Sequence, residues 1–445
     1  MIRPISKRAL FLVFSDAIAI AITYWIGFNL RFESDFLRLF QIPFFYLSEM
    51  VLLVLLYIFD LHNPFKVFKP AQTLAEIILS IAIGSIILAA VSYVERTFIS
   101  SRLAFVYMSL SLLPLIFGIR LFYDYLFHSR MLDKKALVIG TGPLAVEITR
   151  AVRETPYSGI EVVGLVQEER NPDISRSGSI PIVGSLENLL SLIDWYKIQL
   201  AILALGQKHE SSETSLMYDL FKQEIPVTSA LSLFETLQGE IPYHVMDSHY
   251  LLGLMTQVKS KPYLKFKRLI DILASLLLLG FLSPILFVTM LVLRITSGGA
   301  IFFIQERIGK EGKAFRLIKF RTMNQVQKGK LRVTAVGKWI RRYRIDEIPQ
   351  LINVLKGDMS LIGPRPEIPY FVNRSRKRIP FYDAVFTVKP GLTGWAQVKF
   401  RHVTSLKDYD KKFRYNLFYL KNVSLALDLI ILLKTIRVVL LGDGK

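Results

Sequence analysis

Asp346 and Glu347 are adjacent carboxylates in RRYRIDEIPQLINVLKGDMSLIGPRPE, the stretch from Arg341 to Glu367. Arg341, Arg342 and Arg344 come just before them, and positive charge so close should keep both acids ionised. Ionised neighbours of this kind can share a divalent cation. One of them, beside metal and phosphate, can attack phosphorus and form an acyl phosphate. On these two residues alone, acids opening a helix are the simpler reading. The surrounding residues add phosphate chemistry. GPRP at Gly363–Pro366 holds Arg365 between two prolines, presenting a preorganised guanidinium fork to a phosphate. KFRTM contributes Lys319 and Arg321, and KPGLTGWAQV contributes Gly391 and Gly394, where backbone can be approached closely. Taken singly, Arg365 could cap a turn, Arg321 could face lipid, and PGLTG could be a plain turn.

The rest of the chain must place this cluster. With no cysteine in 445 residues, disulfides, thiolate nucleophiles and sulfur-ligated metals are excluded. The six histidines lack the spacing of a helical metal pair, so a metal would be a hard, oxygen-bound one. Hydrophobic residues make up 52% and mean hydropathy is +0.39, which argues for segments buried in a bilayer. Lys and Arg match Asp and Glu at 25 each over residues 1–293, then outnumber them 31 to 11 over 294–445. The last third should therefore meet a polyanion: anionic lipid, nucleic acid or a phosphorylated substrate.

Apolar runs at about Ala9–Leu30, Phe44–Phe59, Ile77–Val94 and Ala104–Phe127 read as four membrane-spanning helices over residues 1–133. Basic residues gather at both ends of this bundle and between the second and third runs, so both ends should face the cytoplasm. Asp16 and Glu49, inside spans, read as polar contacts of the bundle interior rather than a transport path. Residues 134–250 alternate strand and helix, with Gly140, Gly142 and Ala145 in GxGxxA spacing, and read as a Rossmann-like α/β domain. Those glycines are a weak sign of a bound cofactor, because they also permit close helix–strand packing. Glu168 could hold a ribose or simply end a strand.

Residues 251–445 form the third part. Its apolar stretch, about 266–294, is broken by Ser283 and Pro284 and is basic on both flanks. Crossing the bilayer would carry the most basic part of the chain outward, so the stretch should enter and return on one face. Pro284 supplies the bend, and Ser283 can satisfy freed backbone groups. Leu425–Leu441 reads as a further amphipathic stretch, lying on the same surface or packed in a core.

From about Tyr263 to the C-terminus, the Ser-Pro break, KFRTM, DEIPQLINVLKGDMSLIGPRPE and PGLTGWAQV occur in the order that marks one family. The chain resembles the bacterial sugar transferases known as polyprenyl-phosphate glycosyl-1-phosphate transferases, the monotopic phosphoglycosyl transferase superfamily. With the bundle and the Rossmann-like part it resembles their long form: a mixed membrane protein ending in a mainly α catalytic domain with a re-entrant helix hairpin. The resemblance implies transfer of a sugar 1-phosphate from a UDP-sugar to polyprenyl phosphate, usually undecaprenyl phosphate, with release of UMP. Such a step begins an exopolysaccharide, capsule or O-antigen. It implies Asp346 as nucleophile, Glu347 supporting Mg²⁺, a covalent sugar-phosphoryl-aspartate, and work at the cytoplasmic face of a bacterial inner membrane among its lipids. Nucleic acid is not expected as a partner, since no reading module interrupts the membrane-seeking segments. A homodimer is compatible with the sequence. Two other readings remain: a membrane-anchored nucleotide-sugar dehydratase, because Tyr263 and Lys267 satisfy YxxxK, and a non-enzymatic lipid-binding scaffold.

Overall fold

The structure is a computed structural model, and it describes residues 7–32, 43–94, 102–128, 133–168, 176–177, 180–205, 218, 220–246, 248–259, 262–297, 300–325, 331–400 and 406–442. The chain divides into two compact units, which meet in sequence between Gln238 and Gly239.

The first unit opens with four helices, Lys7–Phe32, Pro43–Ile58, Pro70–Val94 and Arg102–His128, at the positions of the four apolar runs. The first, third and fourth are long and apolar enough to cross a membrane; the second is shorter. Many of their large apolar side chains face outward, among them Phe14, Ile86 and Leu110, the inverse of a water-soluble bundle. The Asp16 charge inside this bundle is paired. Asp16, fully buried, accepts from Arg120 Nη1 at 3.0 Å and lies 2.9 Å from His62 Nε2. That answers the question raised by Asp16: it is a polar contact of the bundle interior, held by a guanidinium and an imidazole.

A six-stranded sheet follows in the same unit. Its strands are β1 (Lys134–Ile139), β2 (Ile160–Gln167), β3 (Arg176–Ser177), β4 (Ile180–Ser185), β5 (Leu200–Leu203) and β6 (Val227–Ser229), in the order β3-β4-β2-β1-β5-β6. Every pairing is parallel except β3 with β4. The central strand β1 buries Ala136 through Ile139 because apolar clusters cover both its faces. Helices Pro143–Glu154 and Ala230–Gln238 pack on one face and Leu189–Tyr196 on the other. Gly140 has φ +121°, and a Cβ there would lie 2.5 Å from Ala204 O, so only glycine closes the turn after β1 against β5. Gly142 precedes helix Pro143–Glu154 with open space where a Cβ would be.

The second unit contains the helix Tyr263–Ser297, which is 35 residues long and runs through Ser283 and Pro284 without a break in its assignment. Ser283 Oγ donates to Gly280 O at 2.7 Å, satisfying one of the carbonyls near the proline. Over most of this helix the side chains are exposed and apolar, including Leu277, Phe281 and Phe287. Its buried positions recur at helical spacing: Lys267, Asp271, Ser275, Thr289 and Leu293. The first half is tied to the globular part by Arg268, which donates to Val354 O at 2.6 Å and Leu355 O at 2.8 Å, and by Asp271, which accepts from Leu361 N at 3.0 Å. The second half packs Leu293, with Leu286 and Met290, against Phe320 and Ile340. Near the C-terminus the helix Leu425–Leu440 divides its apolar face: Leu427, Ile431 and Val438 are buried, whereas Leu429 and Leu440 are exposed.

Candidate active site

Lys319 lies on β8 (Ala314–Phe320), which pairs antiparallel with β7 (Phe302–Ile308). Asn353, 1% exposed, fixes that strand from behind. Its amide nitrogen donates to Arg316 O at 2.8 Å and its amide oxygen accepts from Ile318 N at 3.0 Å. Asn353 belongs to the helix Leu351–Lys356, which directly follows the 3₁₀ turn Ile345–Gln350 that carries Asp346 and Glu347. The one asparagine therefore sets Lys319 beside the acid pair. Entry to the turn is strained: Arg344 has φ 56° and ψ 22°, a left-handed conformation costly for an L side chain. Its guanidinium is also engaged, 3.6 Å from Glu347 Oε2 and 3.4 Å from Gln397 Oε1.

Arg365 reaches the same acid, its Nη2 donating to Glu347 Oε1 at 3.1 Å. The GPRP turn is held in place by a pair of short parallel strands, β9 (Ser360–Ile362) and β10 (Gly391–Thr393). Beyond them, Gly363 N donates to Thr393 O and Gly391 N to Pro364 O, both at 2.8 Å. A Cβ at Gly391 or Gly394 would collide with the backbone of Gly363. The close approach these glycines allow is thus to the arginine turn itself, so they act by positioning Arg365. Arg321 is engaged elsewhere, its Nε donating to Met323 O at 3.2 Å.

The two carboxylates differ in environment. Burial works against ionisation of Glu347, but Arg365, Arg344 and Lys319 outweigh it and hold the acid below the usual range. Asp346 is 7% exposed, and among the described residues it accepts no hydrogen bond and forms no ion pair. Burial first, and then the charge of Glu347, push its carboxyl up to about 6 against the pull of Lys319, Arg341 and Arg365. Nearby cations alone suggested two low acids; desolvation makes the first one weaker. A weaker acid is the better nucleophile provided it stays ionised, and near pH 7 Asp346 is mostly ionised. Were this carboxylate the attacking group, protonation would silence it, so kcat/KM should fall as pH drops through about 6, tenfold for each further unit. A profile flat down to pH 4.5 would contradict this.

Two residues that the sequence did not single out join the site. Arg307 on β7 donates to Pro366 O at 3.1 Å and to Gln305 Oε1 at 2.7 Å, while its buried Nε has no partner. Burial and the neighbouring Arg365 pull its pKa down to about 10. Gln397, in PGLTGWAQV, keeps a buried amide nitrogen without a partner. Glu367 pairs with Lys412, completing the setting of the arginine turn. Arg307 was visible only as one cation among many, because its relation to Arg365 depends on the pairing of Ile308 with Glu367.

As a donor set for a hard cation, this site offers the acid pair; among the described residues there is no group of three or more His, Asp or Glu that could hold a metal. That set fits Mg²⁺, which commonly takes one or two carboxylates and completes its shell with water and substrate phosphate. An unpartnered buried carboxylate amid guanidinium groups defines a site for phosphate chemistry.

Comparison with known proteins agrees. Residues 262–442 match the family model described as bacterial sugar transferase, and residues 58–223 match one described as a CoA-binding domain. The chain is 42% identical over 229 residues to the UDP-N-acetylgalactosamine-undecaprenyl-phosphate N-acetylgalactosaminephosphotransferase of Aeromonas hydrophila, covering 49% of this chain and 53% of that protein. It is 30% identical over 350 residues to an uncharacterized sugar transferase of Haemophilus influenzae, covering 72% of each chain. It is 29% identical over 360 residues to the UDP-glucose:undecaprenyl-phosphate glucose-1-phosphate transferase of Klebsiella pneumoniae, covering 77% and 74%. The chain belongs to the bacterial sugar transferase family, a family of enzymes.

Proposed function

We propose that this protein transfers a sugar 1-phosphate from a UDP-sugar to polyprenyl phosphate, releasing UMP and starting a surface glycan. The observation that carries the reading is the buried, unpartnered carboxylate of Asp346 beside Glu347, whose own charge is held by Arg365 and Arg344. The activities named for the relatives point the same way, although the match spans about half of the Aeromonas protein.

In this mechanism Asp346 attacks the phosphorus that bears the sugar, the bond to the UMP oxygen breaks, and UMP leaves. The sugar-phosphoryl-aspartate is then attacked by the polyprenyl phosphate oxygen, which frees Asp346. Arg365 and Arg307 neutralise the diphosphate and keep the phosphorus in line with the attacking oxygen. Lys319 lends positive charge to the acid pair and to the phosphates that meet it. Asp346 and Glu347 would hold Mg²⁺, which when bound supplies charge neutralisation at the phosphates. Arg365→Ala should lower kcat/KM about 100-fold or more, with Arg365→Lys recovering part of it, measured as UMP release. Wild-type rates in Arg365→Ala would remove this arginine from the site.

We read the helix Tyr263–Ser297 as re-entrant. Its first half is bonded to Val354, Leu355 and Leu361, and its second half packs on Phe320 and Ile340, all within one globular unit. A spanning helix would leave one half across about 30 Å of hydrocarbon from the other. The three-part division at 133 and 250 follows the chemistry: a membrane bundle, a Rossmann-like domain with its strand order reversing at β1, and a catalytic part at the cytoplasmic face of the inner membrane. Tyr263 and Lys267, the dehydratase-like pair, both bond Asp428, which leaves them a structural role. A screen of UDP-sugars with membranes, Mg²⁺ and polyprenyl phosphate tests the reading. UMP release from at least one donor is expected. Binding to membranes with no release from any donor would favour the scaffold instead.

A further inference from the structure

Away from the acid pair, a small cavity of about 90 Å³ opens at the foot of the helix Tyr263–Ser297. Its charged lining is Lys267, Arg268, Lys310, Lys389 and Asp271. Lys267 is spent on Asp428, and Asp271 is satisfied by Ser360 Oγ and Leu361 N. Lys310 lies 3.6 Å from Glu311, which leaves Arg268 and Lys389 as the lining cations without a carboxylate partner among the described residues. Arg268 touches only backbone carbonyls, and among the described residues Lys389 has no carboxylate within ion-pair distance. Their Nη2 and Nζ atoms both lie 3.5 Å from the point where a Cβ on Gly357 would stand, so the two cations converge beside that glycine. Holding two like charges together is unfavourable without a counter-ion, and burial with Arg268 nearby pulls the Lys389 pKa down.

The space is roomy enough for a small oxyanion together with bound waters. Its position selects the ligand's source. Arg268 immediately precedes the apolar run that begins at Leu269, where exposed Leu269, Leu273 and Leu276 face outward. That is the depth at which a bilayer presents its phosphates.

We propose that this cavity binds the phosphate of an anionic membrane lipid headgroup, separately from the catalytic acids, and clamps the helix foot to the interface. The phosphate accepts from Arg268 and Lys389 across the cavity, with Lys310 at its rim. The shared chemistry, a phosphate oxyanion, could also come from free phosphate, and the experiment separates the two.

The test uses the full chain in neutral detergent, titrated with short-chain phosphatidylglycerol, phosphatidylcholine or inorganic phosphate, with the rise in Tm as readout. Phosphatidylglycerol should raise Tm, phosphatidylcholine and inorganic phosphate should do so weakly, and Lys389→Gln should shift half-saturation about tenfold upward. Lys389→Arg should bind nearly as wild type, which separates charge from packing. Lys389→Gln with an unchanged titration would overturn the proposal. So would inorganic phosphate matching phosphatidylglycerol, since the site would then belong to the free ion.

Discussion

Asp346→Asn should lower UMP release by about 10⁴-fold or more while leaving the protein folded and more stable than wild type. The loss is of the size seen when a covalent nucleophile is removed, because an amide oxygen neither carries the charge nor forms the acyl phosphate. The gain in stability comes from the other side of the same chemistry. Burial and Glu347 raise this acid from its unfolded value to about 6, so above that pH the folded state carries a carboxylate it would rather protonate. The cost is present at neutral pH and vanishes as pH falls below the unfolded value. At roughly 1.4 kcal/mol per unit, the neutral amide recovers about 3 kcal/mol at pH 7.5 and almost nothing near pH 3. A loss of activity accompanied by a lower Tm would mean that the variant had simply damaged the fold.

Lys267→Met destabilises the second unit by about 3 kcal/mol or more. Asp428, 3% exposed, accepts from Tyr263 Oη at 2.7 Å and Tyr419 Oη at 3.0 Å and is ion-paired with Lys267. Removing the ammonium strands a buried carboxylate among neutral hydroxyls, the costly way to break a buried pair. Replacing both members, Lys267→Met with Asp428→Leu, should recover most of the loss, since no charge is left behind. Thermal unfolding of the three variants measures this. A Lys267→Met protein as stable as wild type would show that the pair does not anchor the helix foot.

Much of this was legible in the sequence. The apolar runs locate the helices because lipid imposes length and composition together, and the βα alternation after Lys134 locates the parallel sheet because strands buried on both faces must be continuously apolar. Arg365 was legible because two prolines fix its turn in any context. Other features depend on contacts far apart in the chain. The aspartate's weakened acidity needs its burial, which no local pattern reports. Gly391 and Gly394 looked like a place for a ligand to approach backbone, but the backbone they admit is that of Gly363. Arg307 enters the site through the pairing of β7 with Glu367, and Tyr263 and Lys267 are explained only by Asp428, more than 150 residues away. Pro284 predicts a break, yet the helix runs on through it, because the Ser283 hydroxyl donates to Gly280 O, the carbonyl that the proline leaves without its N–H.

The central claim is that one aspartate is transiently esterified by a glycosylated phosphorus. Mixing enzyme with UDP-sugar labelled at the sugar, in the absence of polyprenyl phosphate, and quenching within one turnover tests it directly. The account predicts a burst of UMP matched one for one by label on the peptide carrying Asp346, lost on treatment with hydroxylamine and chased into lipid when the acceptor is added. Lipid-linked product formed at full rate, with no burst and no labelled peptide, would contradict it.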